Sequence, residues 1–117
     1  LAKQPFVAQL NHPGLLEHPQ HALAQRQMHG YGSLFSLRTQ PLTDEQAYTF
    51  TDHLRLFRFG PSWGGYESLL IGWGEGEPDS EGRRRWFFRL YIGLEHPDDL
   101  IRDLQQAAHQ AGFDTLE

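Results

Sequence analysis

The chain reads as an α+β domain, with an antiparallel or mixed sheet carrying helices on one face. Three observations predict this. Strand-like segments follow one another after residue 55, at 55–59, 68–73 and 85–94, with no helical pattern between them. Two segments carry helix starts in their own residues, "LTDEQ" at 42–46 and "EHPDDLIRDLQQAAHQAG" at 95–112. The length, 117 residues, is that of one domain and suffices to bury about two-thirds of the unfolded surface.

The elements are read in order. "FVAQL" (6–10) is a short apolar strand stopped by "NHPG". "HPQHALAQRQMHG" (18–30) is rich in helix formers, with Pro19 in the first turn and Gly30 to close it. "SLFSLRTQ" (33–40) has strand composition. At Thr43 a helix begins. Gln46, three residues on, completes a capping box, Asp44 and Glu45 suit the positive end of the dipole, and Ala47, Phe50 and Leu54 share a face. "RLFRF" (55–59) alternates, and "SLLIGW" (68–73) is a further strand. "RWFFRLYIGL" (85–94) is the longest, with Trp86, Phe88, Leu90 and Ile92 on one face and Phe87, Arg89, Tyr91 and Gly93 on the other. The last helix has Pro97 early, Asp98 and Asp99 in its first turn, Gly112 past its end, and an apolar stripe of Leu100, Ile101, Leu104, Ala108 and Ala111.

Composition excludes several chemistries. The net charge of −5 gives no basic footprint for nucleic acid, and the one basic run, Arg83-Arg84-Arg85 after "EPDSEG", reads as a solvated turn with its own counter-charges. The absence of cysteine removes disulfides, thiolate metal sites and a cysteine nucleophile, and fits a reducing, cytoplasmic setting. No apolar run is long enough to cross a membrane. Lys3 is the sole lysine and sits where a chain end frays, so chemistry that needs a buried lysine has no candidate. The opening "LAKQPFVAQL", without methionine, reads as a strand already under way and predicts a piece of a longer protein.

Few residues carry chemistry. His12, His18 and His21 lie close in sequence, yet a full metal-ligand set is not visible among them. "GYGS" (30–33) and "GWGEGEP" (72–78) lack phosphate-loop spacing and read as turns. Arg89 stands out. On an aromatic strand face its guanidinium is partly desolvated and requires an anion. That anion is either a local acid such as Glu67 or Glu95, or a ligand carboxylate that the planar fork would grip. "PSWGGYES" (61–68) is its companion. Gly64-Gly65 permits positive φ and close approach of backbone, and Ser62 and Trp63 stand at the loop tip. A plain turn before the next strand is the other reading.

Together, "SWGGYESL" and "RLYIGLEHPDDLIRDL" resemble the C-terminal part of the cystathionine β-lyase and γ-lyase family. "HPGLLEHPQHALAQRQMHGYGSLFSL" (12–37) is similar to the segment that follows that family's large domain. The resemblance implies that residues 1–117 are the small C-terminal, substrate-binding domain of the aspartate-aminotransferase-like (fold type I) pyridoxal-phosphate (PLP) enzymes. The large domain, with the cofactor and the Schiff-base lysine, then lies outside this chain. No catalytic residue is expected within the chain, nor PLP bound to it alone, and in isolation it should be inactive. The resemblance assigns Arg89 to the substrate α-carboxylate, and Ser62 and Trp63 to the loop lining the substrate site. It implies L-cystathionine as substrate, homocysteine, pyruvate and ammonia as products, a role in methionine metabolism, and a homotetramer of the intact enzyme. "SWGGYES" is the β-lyase-like form, where γ-lyases and synthases more often read "SLGGVES". Pro61 departs from the tyrosine expected before the serine, and Ser33 stands where the family has glycine. A γ-lyase or γ-synthase branch and a stand-alone module for small carboxylates are the alternatives.

Overall fold

The computed structural model describes residues 1–116. It is an α+β domain with a mixed sheet and three helices. In chain order these are β1 (Val7–Asn11), α1 (His21–Gln27), β2 (Leu34–Thr39), β3 (Leu42–Thr43), α2 (Asp44–Asp52), β4 (Arg58–Phe59), β5 (Leu69–Gly74), β6 (Arg83–Arg84), β7 (Trp86–Tyr91) and α3 (Pro97–Gln110). The main sheet runs β1-β2-β7-β5-β4, and β3 pairs with β6 in a separate two-stranded ladder. All pairs are antiparallel except β4 with β5, which is parallel.

β7 is the middle strand, and its alternation sorts the molecule into two faces. Trp86, Phe88 and Leu90 are buried, whereas Phe87, Arg89 and Tyr91 are half-buried. The buried face joins Leu37 and Leu70 of the neighbouring strands to Ala47 and Phe50 of α2 and to Leu100, Ala107 and Ala108 of α3. Phe50 lies edge-on to Phe88 at 5.4 Å and tilts against Phe113 at 5.1 Å. Gly72 faces the Phe88 ring so closely that a Cβ there would lie 2.3 Å from Cδ1. The capping box of Thr43 and Gln46 forms as read, and Gly112 takes φ 69° after α3.

Several elements differ from expectation. α1 spans seven residues, because 18–20 form a turn in which His18 Nδ1 accepts the Gln20 N–H. The expected strand 55–59 shortens to Arg58–Phe59. Its first residues instead donate their N–H groups to the buried Asp103 carboxylate: Arg55 and Leu56 at 2.8 Å, Phe57 at 3.1 Å. On α3, Ile101 points to solvent, while Asp103 and Ala107 are buried. The basic run is also more than a turn. Arg83–Arg84 forms β6, and Arg84 grips Asp44 at the start of α2 through Nε (2.9 Å) and Nη2 (3.0 Å).

Candidate functional site

Residues 61–67 are all exposed and lead into β5, whose first residues lie beside the end of β7. Gly64 takes φ 92°, the left-handed region that glycine tolerates, and nothing lies within 4 Å of a Cβ built on Gly64 or Gly65. Crowding at these two Cβ positions therefore does not shape the turn. β7 holds it instead, from one strand face. An Arg89 Nη2 hydrogen bond reaches the Pro61 carbonyl, and the Tyr91 hydroxyl donates to the Gly65 carbonyl at 2.9 Å. Ser62 and Trp63 stand between the two ties, with Trp63 62% exposed. The structure thus brings Arg89, Ser62 and Trp63 together at one loop and one strand.

Arg89 has neither expected local partner. Glu67 is exposed, and among the described residues Arg89 is in no ion pair. Glu95 is committed elsewhere: Oε1 accepts the Ser68 N–H at 3.0 Å and Oε2 the Ser68 hydroxyl at 2.7 Å. Ser68 Oγ in turn accepts the Gly93 N–H at 2.9 Å. Burial raises the Glu95 pKa, but the hydrogen bonds from the Ser68 N–H, the Ser68 hydroxyl and its own backbone N–H together outweigh it and hold the carboxyl below its usual range. Meanwhile Arg89 Nε is shielded from solvent and has no hydrogen-bond partner among the described residues. A buried cationic N–H of this kind is costly unless an anion meets it.

Ser68, Gly93 and Glu95 form a cluster that no local pattern announces: the one signal in the sequence is Glu95, two residues after Gly93, and its position suits Arg89 equally well. At Gly93 a Cβ would lie 2.3 Å from the Tyr66 carbonyl oxygen, so glycine is required there by close approach. The histidines do not converge. His12 Nδ1 accepts the Gly14 N–H, and His21 Nδ1 lies 2.8 Å from the Pro13 carbonyl. Among the described residues no group of three or more His, Asp or Glu could hold a metal ion, and no helix is long and apolar enough to cross a membrane.

Lys3, the one lysine of the chain, is exposed near the N-terminus. The arrangement can receive an anion at Arg89 and flank it with a serine hydroxyl and an indole. It is an open surface, whereas a small-molecule site encloses most of its ligand.

Comparison with known proteins shows the family of the chain. The family model described as "Cys/Met metabolism PLP-dependent enzyme" matches residues 1–109. The chain is 36% identical to a cystathionine beta-lyase of Haemophilus influenzae over 99% of its own length and 30% of that protein's. It is 35% identical to a cystathionine gamma-lyase of Dictyostelium discoideum, over 92% of the chain and 30% of the relative. A crystal structure of cystathionine gamma synthase from Xanthomonas oryzae pv. oryzae, in complex with cystathionine, superposes with TM-score 0.78 at 32% identity. The match covers 96% of this chain and 31% of that one. The chain therefore spans about three-tenths of the length of the relatives it matches.

Proposed function

Because the chain belongs to the Cys/Met metabolism PLP-dependent enzyme family, we propose that it is the C-terminal substrate-binding domain of a carbon–sulfur β-lyase. The observation that carries this reading is Arg89, a half-buried guanidinium that among the described residues has no partner for its Nε and no ion pair. Its planar fork suits the α-carboxylate of an amino acid. Ser62 supplies a hydroxyl beside that carboxylate, and Trp63 an apolar wall for the thioether arm.

The residues of this chain do not build a PLP site. PLP acts as an electron sink for carbanions and would be held by residues outside these 117, together with the Schiff-base lysine. What this chain contributes is orientation. Fixing the carboxylate end places the Cα–H and the Cβ–S bond in a constant relation to the rest of the site, and such positioning is worth several kcal/mol of barrier. The overall reaction is L-cystathionine plus water giving homocysteine, pyruvate and ammonia. β-Elimination, rather than γ-, is supported by the "SWGGYES" form of the loop. The open surface supports completion of the site by the enzyme's own large domain, and the homotetramer is what the family resemblance implies for the intact enzyme. The reading as a stand-alone carboxylate module is not favoured, because the relatives are enzymes about three times longer.

The test is to incubate the full-length protein carrying this chain with PLP and L-cystathionine and to identify the keto acid by mass. Pyruvate with homocysteine is expected. 2-Oxobutyrate with cysteine would place the protein on the γ-lyase branch. Sustained release of keto acid by the 117-residue chain alone would overturn its role as one part of a larger site.

A further inference from the structure

Two neighbouring residues on one face of β7 hold the loop, and they differ in kind. Arg89 reaches Pro61 with the guanidinium assigned above to a ligand carboxylate, so that tie is shared once an anion docks. Tyr91 reaches the Gly65 carbonyl with a hydroxyl that has no other partner among the described residues. Between the ties lie Ser62, Trp63 and Gly64, and a Cβ built on Gly64 or Gly65 would meet nothing within 4 Å. Behind it, the fully buried Ser68 is locked to Glu95 and Gly93. The rear of the loop is therefore fixed, and the tip is held by one hydrogen bond that substrate does not claim.

From this geometry we propose that Tyr91 is a positioning residue for the amino-acid substrate: its hydroxyl fixes the Gly64-Gly65 turn and, through it, the placement of Ser62 and Trp63 over Arg89. The inference rests on the reading of Arg89 as the carboxylate seat. A partly exposed hydrogen bond adds little to folding stability. A displacement of about 1 Å in a positioning group, by contrast, can cost up to about a hundredfold in rate.

The experiment is steady-state kinetics on the PLP-loaded full-length protein with L-cystathionine, comparing wild type, Tyr91→Phe, Ser62→Ala, their double variant and Arg89→Lys. Tyr91→Phe should raise KM about five- to tenfold, the worth of roughly one hydrogen bond, with a smaller change in kcat and an unaltered melting temperature. The double variant should lose less than the product of the two single losses, because the hydroxyl acts through the loop. If Arg89→Lys raises KM and Tyr91→Phe does not, the positioning role is overturned and the carboxylate seat stands. If neither raises KM, both fall. A lower melting temperature with unchanged KM and kcat would assign the hydroxyl to folding alone and overturn the proposal.

Discussion

Arg89 is half-buried on the strand face that it shares with Phe87 and Tyr91, and its one hydrogen-bond partner among the described residues is a neutral carbonyl. Glu95, the nearest acid in sequence terms, is satisfied by Ser68, so each charge has a separate task. Glu95 also sets a pH dependence. Its carboxyl titrates lower in the folded chain than in the unfolded one. The stabilisation is therefore complete at neutral pH and lost as pH falls through the range below about 4. Asp44, whose pKa is lowered chiefly by its hydrogen bond from Arg84, acts in the same direction. Thermal melts from pH 7 to pH 3 should show declining stability in acid, with a shallower decline in Glu95→Gln; an identical pH profile in that variant would contradict this role. At this scale the sequence displayed Arg89, Ser62 and Trp63, because an arginine in an aromatic strand and a Gly-Gly loop are local patterns. It did not display the pairing of Ser68 with Glu95, which are 27 residues apart.

Elements whose ends are marked by their own residues were legible. α3 begins at Pro97 with Asp98 and Asp99 in its first turn, and α2 begins at a complete capping box. Elements set by distant partners were not. β3 and β6 are two residues each, too short for any period, and exist because Leu42 and Thr43 meet Arg84 and Arg83. The stretch before β4 alternates like a strand, but the Asp103 carboxylate claims its N–H groups, which a neighbouring strand would otherwise have used. Asp103→Ala takes the acceptor from three N–H donors, of which that of Phe57 is buried and those of Arg55 and Leu56 are partly so, and we expect a loss of about 2–4 kcal/mol in chemical denaturation. A change under about 0.5 kcal/mol would show that water replaces the carboxylate there. Gly93→Ala forces a Cβ against the Tyr66 carbonyl and should both destabilise the domain and displace the loop, read as a lower melting temperature together with a higher KM in the full-length protein.

For the whole molecule, one face of the sheet makes the core with α2 and α3. The other, through β7, holds a loop and a guanidinium toward an open surface. The α+β class and mixed sheet were readable from segment order, but the order β1-β2-β7-β5-β4 was not, since it places β7 beside a strand nearly fifty residues earlier. The most direct test of the account is the kinetics of Arg89→Lys in the full-length, PLP-loaded protein with L-cystathionine. Lysine keeps the charge and loses the fork, so kcat/KM should fall by about ten- to a hundredfold, mainly through KM, with the melting temperature little changed. Wild-type KM and kcat/KM in that variant would contradict the assignment of Arg89 to the substrate carboxylate.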